Sequence, residues 1–292
     1  MEDIMAVLFC DTDCELWYTT AEELNLKVIK MPYTIDGKEY MYDLGKETDF
    51  KGFFDKMRNG ASAITSALNE QDYLDYFEPY FKKGEDILYI AFSSKMSGTF
   101  NQMEKAVEQL KAKYPKTKFY KFDTLNICLG AGFLVYMGAK FFNANGGDIE
   151  KTIDYLNSIV NKVSVLFAVD DLKYLARGGR LSASKAVMGN MFKVKPILTV
   201  NEAGEIDVLC KQSGSKKAIS YILGQFFENY MPYDDAPIYL LDADCPDVAE
   251  EMKAKILEKY PDVEIVRQPI GPVIGAHCGP DTVGIIFPSK KR

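Results

Sequence analysis

Apolar residues fall along the chain in two kinds of pattern. Short, nearly continuous runs at 5–10, 26–31, 87–92, 118–122, 163–169, 197–200, 206–210, 238–241, 263–266 and 283–287 have the length and the β-branched and aromatic content of strands. Between many of them lie stretches with apolar residues three and four apart, at 49–57, 70–81, 99–113, 129–143, 149–161, 216–229 and 246–259, which predict helices. Strands and helices alternate, an order that predicts an α/β architecture with largely parallel sheets. The run Ile87-Leu88-Tyr89-Ile90-Ala91-Phe92 has no polar face, as a strand covered on both sides requires. Two α/β domains are predicted, 1–160 and 161–292, with the change placed after the helix that starts at Asp148.

Composition narrows the function classes. The 292 residues, 47% hydrophobic and 26% charged, suffice for one large core or two medium ones. A net charge of −7 offers no basic face for nucleic acid, and Lys290-Lys291-Arg292 reads as a solvated end. Six cysteines (Cys10, Cys14, Cys128, Cys210, Cys245, Cys278) contain no CxxC pair and read as reduced thiols of a cytoplasmic protein. The apolar run at 4–10 is too short for a signal peptide. The longest uncharged stretch, 125–139, falls short of a membrane span, so contact with a membrane is expected to be transient at most.

Four segments carry candidate chemistry. Ser93-Ser94-Lys95-Met96-Ser97-Gly98-Thr99 joins a strand to a helix, and such a turn brings hydroxyls and helix N-terminal amides to one spot where an anion can sit. The plain alternative is that Ser97 caps the helix. Thr65-Ser66 precedes Asn69 and Asp72, which have the spacing of a helix cap, so the two hydroxyls are left to face a ligand or to close a turn. In 170–182, Asp170 can cap a short helix, Gly178-Gly179 can end it and Ser182 can cap the next. Arg177 and Arg180 then flank the glycine pair on a turn suited to phosphate or to a partner's carboxylates, or to solvent. The segment 270–280, dense in Gly and Pro, holds the only histidine, His277.

One histidine builds no metal site, and HExxH, Walker A and GxGxxG patterns are missing from the sequence, so no metal, cofactor or catalytic residue is assigned. A serine esterase or thioesterase pairing Ser94 or Ser97 with His277 is the enzymatic alternative. It lacks both the GxSxG elbow and an evident carboxylate to orient the histidine.

In order and spacing these segments resemble the DegV family of bacterial fatty-acid-binding proteins, which includes the fatty acid kinase B components. The likeness runs through Asp11-Thr12, Ile35-Asp36-Gly37-Lys38, Thr65-Ser66, Ser93-Ser94 to Thr99, Leu129-Gly130, Asp170-Asp171-Leu172, Gly178-Gly179-Arg180, Lys195-Pro196-Ile197-Leu198 and Ile270 to Pro280. It implies a two-domain DegV-like fold with a ligand tunnel between the domains, enclosing one long-chain fatty acid. It further implies that Thr65 and Ser97 hold the carboxylate, with the Gly98 amide, Ser94 and His277 in support. Some family members hand the fatty acid to a separate kinase, which implies that Arg180, with Arg177, contacts that partner while catalysis belongs to the kinase. A sixteen-carbon chain would gain on the order of 10 kcal/mol gross from burying its methylenes, so an apolar tunnel would supply affinity and the polar cluster orientation.

The chain departs from the family pattern in several places. TSQPS reads Thr65-Ser66-Ala67-Leu68-Asn69, DST reads Asp11-Thr12-Asp13, and HTGPG reads His277-Cys278-Gly279-Pro280-Asp281. Ser213 stands in the segment after the second-domain hairpin, where kinase-coupled members often carry an arginine.

Overall fold

The computed structural model describes residues 6–181, 194–290 and 292. Ile4, Met5, Ser182 and Lys291, which entered the sequence reading, lie outside the described residues. The first half runs β1 (Ala6–Asp11), α1 (Tyr18–Glu23), β2 (Lys27–Ile29), β3 (Pro32–Ile35), β4 (Lys38–Met41), α2 (Phe50–Arg58), β5 (Ile64–Thr65), α3 (Glu70–Lys83), β6 (Asp86–Ala91), α4 (Phe100–Lys113), β7 (Phe119–Asp123), α5 (Cys128–Ala144) and α6 (Ile149–Ile159). The second half runs β8 (Val163–Ala168), α7 (Lys173–Arg177), β9 (Val194–Val200), β10 (Ile206–Ser213), α8 (Ser215–Asn229), β11 (Ile238–Asp242), α9 (Pro246–Lys259), β12 (Ile265–Pro269), α10 (Pro272–Cys278) and β13 (Val283–Pro288).

Two compact units emerge. One comprises residues 1–32, 41–46 and 66–160; the other comprises 33–40, 47–65 and 161–292. The contiguous division at 160 read from the sequence therefore differs at 33–40 and 47–65, which join the second unit. The reason is local packing. The aromatic rings of Phe53 and Phe54 on α2 lie so close to α10 that a Cβ on Gly275 would fall 2.9 Å from Phe54 Cζ. Thr65 goes with that unit, while Ser66 opens the return to the first.

The first unit is built on a parallel sheet ordered β2-β1-β6-β7. All six residues of β6 are buried, as its unbroken apolar run predicts. Helix α5 is apolar almost all round and nearly wholly buried. Gly132 lets its backbone reach Cys14, whose carbonyl oxygen would lie 2.3 Å from an added Cβ. Helix α3 starts with a capping box in which Asn69 and Asp72 each accept the other's backbone N–H, the pairing their spacing predicts.

The second unit carries a six-stranded sheet ordered β10-β9-β8-β13-β11-β12, in which only β11 and β12 run parallel. The largely parallel expectation is thus met in the first unit and corrected here. Asn201 to Glu205 are too few residues for a crossover, so β9 and β10 must form an antiparallel hairpin. A small sheet, β4-β3-β5, completes this unit. Its β3–β4 turn is Asp36-Gly37, both left-handed (φ 53° and 73°), the geometry of a two-residue hairpin. Among the described residues no helix is long and apolar enough to cross a membrane.

Candidate functional site

In the second unit the chain brings Thr65 and His277 together. Thr65 ends β5, whose register opposite β3 pairs it with Tyr33. His277 sits in the last turn of α10, a helix begun by Pro272 and closed by Gly279 in the left-handed region (φ 79°). Thr65 Oγ1 lies 2.8 Å from His277 Nε2, and both residues are half-buried.

The other ring nitrogen, Nδ1, is buried and has no hydrogen-bond partner among the described residues. It faces Gly178, where an added Cβ would fall 2.1 Å from Nδ1. Gly178 itself has an ordinary helical backbone (φ −73°), so glycine is needed there for the close approach of the imidazole and not for a turn. Sequence reasoning assigned the glycine pair to helix termination and missed this role, which local sequence does not signal. Gly179 does carry the left-handed turn (φ 72°).

Burial lowers the His277 pKa to about 4, helped by the positive charges of Arg180 and Arg177, so the ring is neutral at pH 7. Arg180 is half-buried and donates from Nη1 to the Gly178 carbonyl. Arg177 is exposed, its guanidinium 5.3 Å from the Tyr174 ring centroid. Of the two arginines, only Arg177 fully meets the expectation of an exposed guanidinium.

In the first unit the turn after β6 gathers the predicted hydroxyls. Ser93 is fully buried, and its Oγ accepts from Lys95 N at 3.2 Å. The helix that follows begins at Phe100, so Ser97 is not its N-cap; Thr99 holds that position without a side-chain cap. Ser97 Oγ instead lies 2.8 Å from Thr99 Oγ1 and accepts from Thr99 N at 3.4 Å. Gly98 is exposed, with open space where a side chain would stand. Ser94 is exposed too, and its backbone N–H donates to Asp123 Oδ1 at 3.3 Å.

Beneath this turn lies Asp11, only 3% exposed. Its Oδ2 accepts from Tyr89 Oη at 2.6 Å and from Phe92 N at 3.3 Å, and its Oδ1 accepts from Asp13 N at 3.0 Å. Burial raises its pKa, while these donors work in the opposite direction. Asp11 thereby anchors the residue that leads into the Ser93 turn.

A cavity of about 730 Å³ runs along α4 and β7, lined by Met103, Val107 and Phe119 among charged side chains; none of the predicted site residues lines it. Among the described residues no group of three or more His, Cys, Asp or Glu side chains could hold a metal ion.

The sequence and fold have known counterparts. A family model described as "Uncharacterised protein, DegV family" matches residues 6–290. A DegV domain-containing protein of Clostridium perfringens is 35% identical over 281 residues, covering 96% of each chain. The crystal structure of DegV from Bacillus subtilis, described as a fatty acid binding protein, is similar with a TM-score of 0.82 at 27% identity, over 99% of this chain and 100% of that one. A structure described as fatty acid binding of a DegV family protein from Thermus thermophilus matches with a TM-score of 0.84 at 24% identity, over 98% and 99% of the two chains.

Proposed function

The chain belongs to the DegV family, and from that premise we propose that it binds a long-chain fatty acid as a non-enzymatic carrier. The observation that carries the proposal is the neutral Thr65–His277 pair. With its proton on Nε2, the imidazole donates to Thr65 Oγ1, and the threonine hydroxyl is then turned outward as a donor to a carboxylate. Nδ1, without a partner among the described residues, is in that tautomer a lone pair, which costs less than a buried N–H left without a partner. Ser97, the Gly98 amide and Ser94 are the further groups we assign to the carboxylate. Each is a neutral donor that orients an anion without the cost of a buried cation.

The fatty acid binding described for the Bacillus subtilis relative supports this reading. We assign the next step, formation of an acyl phosphate on the carboxylate, to a separate kinase. Arg177 and Arg180 are the groups proposed to meet that partner or the transferring phosphate. The esterase alternative has no support at His277. A Ser-His pair needs a carboxylate on Nδ1 to orient the ring, and that nitrogen faces Gly178.

The test is mass spectrometry of organic extracts of the purified protein, alongside native spectra of the intact chain. A stoichiometric fatty acid of about 14–18 carbons, the long-chain range that membership of the family implies, supports the proposal. A ligand-free protein that also refuses added fatty acid overturns it.

A further inference from the structure

Arg58 closes α2, six residues before β5, the strand that carries the site threonine. Its guanidinium reaches two loops of the same unit. Nη1 bonds to the Asp244 carboxylate and Nη2 donates to the Asp244 carbonyl at 3.1 Å, just beyond β11. Nη2 also meets Asp281 Oδ1 at 2.8 Å, just beyond α10 and four positions from His277. Both acidic residues stand in the left-handed region, with φ of 59° and 61°, a conformation that costs a non-glycine residue energy and persists where contacts hold it. Asp281 is also the position at which the chain departs from the glycine of the HTGPG pattern. The departure thus supplies a carboxylate to Arg58.

We infer that Arg58 is a positioning residue: by tying the end of α2 to Asp244 and Asp281 it holds the α2–β5 segment, and with it Thr65, against His277. The two sides of the tie are the two sides of the pair. Thr65 follows Arg58 by seven residues, Asp281 follows His277 by four, and one turn or so before Arg58 the rings of Phe53 and Phe54 pack on Gly275 of α10. This inference extends the site assignment above, but its test reads the pair without ligand, so a failure of lipid binding leaves it standing.

His277 is the only histidine, so its ring nitrogens titrate without overlap in long-range ¹H–¹⁵N NMR spectra of the full-length protein. The charges acting on the ring are Arg177 and Arg180 of α7 and its following turn; β5 brings the Thr65 hydroxyl, and α2 faces α10 with Phe53 and Phe54. In Arg58→Ala and Asp281→Gly, loosening of Thr65 should admit water to the ring and raise its proton affinity about tenfold. The direct electrostatic effects of the two substitutions have opposite signs, since one removes a cation and the other an anion. A rise in both therefore cannot come from their direct electrostatics. Arg58→Lys, which keeps the charge with fewer bonds, should lie between the parent and Arg58→Ala. An unchanged His277 midpoint in folded Asp281→Gly overturns the inference even where thermal stability falls, and that variant carries the test if Arg58→Ala does not fold.

Discussion

Thr65 Oγ1 and His277 Nε2 stand 2.8 Å apart although 212 positions separate them in sequence. The threonine arrives on a two-residue strand and the histidine in the last turn of a short helix, both within one compact unit. If the pair receives a carboxylate, removing the hydroxyl removes a hydrogen bond to a charged group. Thr65→Ala, and separately Ser97→Ala, should weaken fatty acid binding by about 1.5–3 kcal/mol, roughly ten- to a hundredfold in Kd. Fluorescent fatty acid displacement measures this, and parental affinity in both variants would show the assignment to be wrong.

The neutrality of His277 has a pH signature. The unfolded chain binds a proton on this residue near pH 6.5, which the folded chain refuses until about pH 4. The stability tied to the neutral ring is therefore fully present above pH 6.5 and is lost as the pH falls from 6.5 toward 4. His277→Gln should lose less thermal stability than the parent across that window. Parallel Tm-against-pH curves for the two proteins would contradict the burial of the ring.

Gly178 and Gly179 are adjacent but should respond differently to alanine. At Gly178 the backbone accepts alanine, yet the new Cβ would strike His277 Nδ1, an overpacking that costs about 1–3 kcal/mol. At Gly179 there is open space but a left-handed backbone, costing roughly 1–2 kcal/mol. Denaturant unfolding should find both destabilised, whereas the His277 NMR resonances should move strongly only in Gly178→Ala.

Asp11 is the corresponding anchor in the first unit. Replacing it by Ala strands the Tyr89 hydroxyl and the Phe92 and Asp13 amides, a loss of about 3 kcal/mol. Tyr89→Phe removes one donor and should cost about 1 kcal/mol. Urea midpoints that rank the two variants in the reverse order would rule out the carboxylate as the centre of this network.

Much of the fold is legible in local pattern. The apolar runs locate β6 and β8, the i, i+3 and i, i+4 spacing locates α3 and α9, and Asn69 with Asp72 marks where α3 starts. The β3–β4 hairpin escaped that reading although Asp36-Gly37 is a hairpin signal, because its strands are short and β4 is largely exposed. Helix α10 was hidden by its glycines and prolines, yet Pro272 at its start and Gly279 at its end are helix boundary residues. The hydroxyls of the candidate site could be singled out as residue types at strand ends, whereas Gly178 and Arg58 carried no local mark of their roles.

The sequence by itself determined most of the longer strands and helices, the Asn69–Asp72 cap of α3, and which hydroxyls and arginines lie at the ends of elements. These follow from interactions among residues at most a few positions apart. Only the tertiary structure decided that Thr65 meets His277, that Gly178 leaves room for the ring, that residues 33–40 and 47–65 pack with the second unit, and that Asp281 answers Arg58. Those pairings depend on how whole elements fill space against one another, and the charge state of His277 depends in turn on the burial that this packing creates.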